Sequence, residues 1–172
     1  DWSSDVCSSD LEHTFSLLLS LARNVPQANR ELREGRWERK KYMGVEVAGK
    51  VLGIVGLGRI GREVARRAQG FRMETLGFDP YVSSQIAADS GVRLVDLQEL
   101  ASSSDFITLH LPVSADTHHL FDAKLIGQVK PGARLINCAR GGLVDEAADA
   151  SVFRFMMDDR SYVAIVAEAP LS

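Results

Sequence analysis

A chain of 172 residues, 45% hydrophobic and 25% charged, is long enough to bury one good core and makes a single domain the default. A formal net charge of -3 and a pI near 5.8 leave no basic excess for a phosphate backbone or an anionic membrane surface, so neither nucleic acid nor membrane is expected as a partner. No apolar stretch approaches the roughly 18 residues of a membrane span, and the two cysteines, Cys7 and Cys138, lack metal-ligand spacing, so the expectation is a cytoplasmic protein with no disulfide framework and no metal.

Residues 1–11 (DWSSDVCSSDL) are rich in Ser and Asp without an apolar period. They read as neither signal peptide nor helix, look like a translated sequencing-library adapter, and are expected to form a non-native or disordered leader. From 12 to 35 the apolar residues Phe15, Leu18, Leu19, Ala22 and Val25 recur at three- and four-residue steps, which predicts an amphipathic helix kinked at Pro26. A basic loop with Trp37 follows over 36–44, so 12–44 is a linking helix and loop. Residues 45–172 are then the main domain, opening with the apolar strand Val51-Leu52-Gly53-Ile54-Val55. Beyond it helix is predicted at 63–69, strand at 74–78, helix at 85–89, a short strand at 94–95, helix at 97–102 and strand at 106–109. Helix at 123–129 and strand at 134–137 complete a βαβαβ pattern with right-handed crossovers and a parallel sheet. Residues 162–166 read as one more strand within a degenerate stretch, 151–172.

Between the first strand and the first helix of this domain stands Gly56-Leu57-Gly58-Arg59-Ile60-Gly61, a GxGxxG in the context that makes the motif specific. The first glycine permits a sharp turn, the second keeps a side chain away from a pyrophosphate, and the third lets helix and strand approach closely. The freed amides at the helix N-terminus then suit phosphate. At the end of the next strand Asp79 can accept hydrogen bonds from both hydroxyls of an adenosine ribose, and its charge repels a 2′-phosphate, so NAD is expected over NADP. The fold class is therefore α/β, a Rossmann-type doubly wound parallel sheet in a single truncated domain.

GLGRIGREVARR, FDPYVS, DFITLHLP and VKPGARLINCARGGLVDE together resemble the D-isomer-specific 2-hydroxyacid dehydrogenases over residues 13–147. The segment WERKKYMGVEVAGK looks most like the phosphoglycerate dehydrogenase branch of that family. The resemblance implies that Arg59 and Ile60 contact the pyrophosphate region, that Asp79 holds the ribose, and that Leu111, Cys138 and Ala139 line the cofactor. It also implies that Arg140 forks onto the carboxylate of a small 2-hydroxy acid substrate, a task suited to a planar guanidinium that does not titrate. A homo-oligomer, dimer or tetramer, is implied for the intact protein.

The family's proton-moving His, counted forward from Arg140, lies beyond Ser172; its Glu partner falls at Ala169, with Glu168 one position early, and a cofactor-contacting Asp falls at Ala164. From about residue 148 the chain departs from the family pattern, and most of the substrate domain is missing. The chain is accordingly expected to be a fragment that binds NAD weakly and turns nothing over.

The remaining candidates have plainer readings. His110 reads as a loop-shaping strand-end residue, His118 and His119 as loop residues without metal partners, His13 as a helix-surface residue, and Arg36 to Lys41 as a solvated loop, against a substrate-phosphate or subunit contact suggested by Trp37. Competing functions are another 2-hydroxyacid dehydrogenase, such as a glyoxylate or hydroxypyruvate reductase, a nicotinamide-sensing binding protein, and a non-functional open reading frame.

Overall fold

The computed structural model describes the backbone of residues 2–145, 153–158 and 162–167, and the side chains of residues 10–145. Short apolar segments form the strands β1 (Val51–Val55), β2 (Glu74–Phe78), β3 (Arg93–Leu94), β4 (Phe106–Leu109) and β5 (Arg134–Asn137). They pair in the order β3-β2-β1-β4-β5, all parallel, with Val55 level with Phe78 on one side and Leu109 on the other. Such strands must bury both faces, and their side chains alternate accordingly. Leu52, Ile54, Phe106 and Ile136 join one cluster with residues of α1 (Trp2–Ala22), α3 (Arg59–Gly70) and α4 (Ser84–Asp89). Val55, Ile107, Leu109 and Leu135 join a second cluster with α5 (Leu97–Ser103) and α6 (Ala123–Ile126). Helices therefore cover both faces, which makes the doubly wound, three-layered α/β architecture that the sequence predicts.

Glycines thin the sheet where helices come closest. A Cβ on Gly53 of β1 would stand 2.4 Å from Ser104 Oγ and 2.6 Å from a Leu100 methyl, so α5 lies nearly on the strand backbone. Chain direction around the sheet reverses between β1 and β4, and that switch point opens a crevice at the carboxyl ends of the two strands.

Several elements differ from the sequence reading. The first helix begins at Trp2 and runs through the boundary drawn at residue 11, because Leu11, Phe15 and Leu18 bury against the sheet and the helix propagates outward from that anchor. Pro26 does not kink a long helix. The break falls at Asn24, in the left-handed conformation with φ 52°, and Pro26 lies in the first turn of a second helix, α2 (Val25–Arg33), where its missing N–H costs nothing. Gly44, with φ 66°, brings the chain back across the end of α1: Val45 donates to the Ala22 carbonyl at 2.7 Å, and a Cβ on Gly44 would lie 2.2 Å from that oxygen. His13, expected on the surface, is half-buried.

The sheet is also not wholly parallel. Beyond β5 lie β7 (Tyr162–Ala167) and, at the edge, β6 (Phe153–Asp158), and both new pairings are antiparallel. A parallel return needs a crossover, usually helical, whereas β6 and β7 pair with each other from Asp158 with Tyr162 outward, so β7 enters the sheet reversed.

Candidate functional site

The glycine motif forms the turn from β1 into α3 at the crevice. Gly56 has φ 95°, and a Cβ there would come within 2.7 Å of the His110 carbonyl oxygen, so the turn passes against the end of β4. Gly61 is tighter still: its Cβ would stand 1.9 Å from the Gly56 carbonyl oxygen, which is how α3 seats directly on the loop that precedes it. Gly58, at the N-cap of α3, faces open space and offers no side-chain cap, leaving the first-turn amides available to an anion.

Asp79, just past the end of β2, turns its carboxylate onto this loop. Oδ2 accepts from the Leu57 amide at 2.8 Å and Oδ1 from the Tyr81 amide at 2.9 Å, so the acid is oriented by backbone on both sides. Strand register sets the placement, since Val55 and Phe78 end level with each other and Gly56 donates to the Phe78 carbonyl at 2.9 Å.

Two adjoining cavities flank the loop. One, of about 500 Å³, is lined by Gly56, Gly58, Asp79, Pro80, Tyr81 and Leu111. The other, of about 400 Å³, is lined by Asp10, Ile60, Leu111, Cys138, Ala139 and Arg140. His110 and Pro112 line both. The crevice thus gathers eight of the ten residues singled out in the sequence. Gly61 lies behind the loop, and Arg59, exposed on the first turn of α3, lines neither cavity.

Arg140 is exposed and bonds through Nη1 to the Ala139 carbonyl at 2.7 Å, a local contact that a carboxylate in the smaller cavity can replace. The loop that carries it is braced by Asn137, which the sequence reading passed over. The buried Asn137 side chain donates to the Arg140 carbonyl at 2.8 Å and accepts from the Ala139 and Arg140 amides at 3.0 and 3.2 Å. An amide at a strand end before a small-residue loop is the signal that was available. Cys138 beside it is a free, buried thiol pushed up to about 11 by burial, so it is protonated and packs as a small apolar group. The side chain of Cys7, and Glu168 and Ala169, lie outside the described residues.

His110 is partly buried, and burial pushes its pKa down to about 4, so the ring is neutral. Away from the crevice, His118 and His119 stack with centroids 3.9 Å apart, and His119 Nδ1 is 4.0 Å from Asp145 Oδ2, a carboxylate that the linear sequence places far off. Cations of the basic loop fold back on α2. Lys41 meets Glu31 at 2.7 Å and Arg36 pairs with Glu34, while Trp37 stays 73% exposed. No helix among the described residues is long and apolar enough to cross a membrane.

Comparison with known proteins bears on this crevice. Residues 15–153 match the family described as D-isomer specific 2-hydroxyacid dehydrogenase, NAD binding domain. D-3-phosphoglycerate dehydrogenase of Methanocaldococcus jannaschii is 48% identical over 138 residues, 80% of this chain and 26% of that protein. The enzyme of the same name from Rattus norvegicus is 50% identical over 137 residues, with the same coverage. The chain thus spans about a quarter of the length of these relatives. Among solved structures, D-lactate dehydrogenase from Aquifex aeolicus, complexed with NAD and lactic acid, superposes with a TM-score of 0.77 at 32% identity, over 83% of this chain and 43% of that one.

Proposed function

The chain belongs to the D-isomer specific 2-hydroxyacid dehydrogenase family through its NAD-binding domain, and we propose that the protein it represents oxidises D-3-phosphoglycerate to 3-phosphohydroxypyruvate, in the first step of serine synthesis. The observation that carries the cofactor assignment is the tight Gly56-to-Gly61 turn, with uncapped α3 amides, closed on one side by the Asp79 carboxylate. The identity of about half the matched residues to named D-3-phosphoglycerate dehydrogenases supports the substrate assignment.

In this reading the larger cavity takes the adenosine half of NAD and the smaller one the nicotinamide half. Bound NAD supplies the hydride acceptor. The open amides of Arg59, Ile60 and Gly61 face the pyrophosphate, Asp79 accepts the ribose hydroxyls, and Leu111, Cys138 and Ala139 wall the cofactor. Arg140, whose guanidinium bonds the Ala139 carbonyl at the smaller cavity, would hold the substrate carboxylate in a two-pronged grip and so orient the substrate there. The unit that does this is residues 45–172, with residues 12–44 as its lead-in, and the working protein is a cytoplasmic homo-oligomer.

Titration of the chain with NAD and NADP tests the cofactor half: NAD binds at least about tenfold more tightly, and Asp79→Ser narrows that ratio to within about threefold. Equal affinity for the two dinucleotides in the unaltered chain overturns the Asp79 role. A panel of D-3-phosphoglycerate, hydroxypyruvate and glyoxylate assayed on the whole protein tests the substrate half, and a higher kcat/KM for glyoxylate or hydroxypyruvate moves the assignment to a reductase of the same family.

A further inference from the structure

Thr108 and His110 stand two residues apart at the carboxyl end of β4, so their side chains project toward the same face, the one covered by α1 and α3. Thr108 is fully buried, and its Oγ1 lies 3.0 Å from His110 Nε2. A buried hydroxyl has a proton to place, and among the described residues the partner of this one is Nε2. Satisfying Thr108 therefore puts the lone pair on Nε2 and the ring proton on Nδ1. Nδ1 is not among the sealed, unpartnered polar atoms of the described residues. Among the described residues it has no hydrogen-bond partner, and His110 lines both cavities. The residue's backbone is fixed as well, for its amide donates to Val55 at 2.8 Å and its carbonyl abuts Gly56.

We propose that His110 is a positioning residue of the dinucleotide site: Thr108 locks its imidazole in the neutral Nδ1–H form, and Nδ1–H donates to an oxygen at the waist of the bound dinucleotide, between its two halves. The inference rests on the dinucleotide reading above and adds to it a donor, its tautomer and the residue that sets the tautomer. Burial of the ring agrees with a neutral donor. Protonating Nε2 would, in addition, turn an N–H against the Thr108 hydroxyl and strip that hydroxyl of its acceptor. The charged groups facing the cavities that His110 lines are Asp10 and Arg140 on one side and Asp79 and Asp116 on the other.

Nitrogen-15 NMR of histidine-labelled chain reads the tautomer without any ligand. The His110 signal, assigned with His110→Asn, shows Nδ1 protonated at pH 7, and Thr108→Val moves it toward the Nε2–H form that is common for exposed histidines. NAD titrations of variants shown to fold by circular dichroism supply the second arm. His110→Asn, whose amide nitrogen can occupy the Nδ1 position, keeps affinity within about threefold, whereas His110→Gln and His110→Phe lose about tenfold, the worth of one ordinary hydrogen bond. An Nε2–H ring in the unaltered chain, or equal affinity for the Asn and Phe variants, overturns the proposal. Failure of the unaltered chain to bind NAD overturns the site reading itself and the proposal with it.

Discussion

Gly61 shows how little freedom the glycine turn between β1 and α3 has. A methyl group there would sit 1.9 Å from the Gly56 carbonyl oxygen, and because the obstacle is backbone, α3 or the turn must move. Gly61→Ala is expected to lower stability by about 1–3 kcal/mol, the usual cost of overpacking, and to weaken NAD binding more than tenfold, read by thermal melting and titration respectively. A variant that melts and binds like the parent would show that the third glycine is replaceable. Asn137 is the opposite kind of residue, outside the motif reading yet holding three polar contacts in a loop whose Arg140 carbonyl also accepts from the Leu143 amide at 3.2 Å. Asn137→Ala takes from the Ala139 and Arg140 amides their described acceptor, and a loss of about 1–2 kcal/mol in denaturant unfolding is expected. The glycines and Asp79 were legible because a backbone path and a charge at a strand end constrain residue type strongly. Asn137 was less so, since an amide at a strand end can brace the residues two and three ahead but its type does not require that it does.

At the scale of elements, the start of β4 is tied to two neighbours by one carboxylate. Asp105 accepts from the Val51 amide of β1 at 2.9 Å and from Lys130, in the turn before β5, at 2.7 Å. Burial works to raise its pKa, but the Lys130 ammonium and the Val51 N–H outweigh it and hold the carboxyl below the usual range. A depressed carboxyl contributes stability above its unfolded pKa of about 3.9 and loses it as pH falls further. His110, at the other end of β4, acts in a higher window. Its folded pKa of about 4 lies below the unfolded value, so between about 6.5 and 4 the unfolded chain binds the extra proton and stability declines as pH drops. The melting temperature is therefore expected to fall in two stages on acidification. His110→Asn flattens the upper stage, and Asp105→Asn flattens the lower one while costing about 1–2 kcal/mol at pH 7. A melting temperature constant from pH 7 to 5 would contradict the neutral, partly buried ring. Element type was well marked in the sequence by period, whereas boundaries were not. Pro26 illustrates the difference, for a proline is compatible with a kink or a helix start, and the choice was made by Gly44 and Val45 crossing the end of α1.

For the molecule as a whole, the sheet separates two apolar clusters, and α1 belongs to one of them. Leu18 is 1% exposed within it, and Phe15 stacks on Phe71 beyond α3 with ring centroids 5.5 Å apart. Leu18→Ala is accordingly expected to cost about 2–5 kcal/mol and to lower the one unfolding transition without splitting off a separate melt of the first helix. A biphasic transition would mean that α1 docks independently of the sheet. Alternating strand and helix periods, one glycine pattern and one acid at a strand end were enough to specify the parallel core and the cofactor class, because short-range stereochemistry and local charge demand those residue types wherever they occur. The reversed β6–β7 edge, the Asn137 brace, the Asp105 tie and the Thr108–His110 pair emerged from packing alone. The β5–β7 pairing and the Asp105 tie join segments that the linear chain keeps apart, whereas the Asn137 brace and the Thr108–His110 pair span two or three residues, where residue type alone does not say that the contact forms.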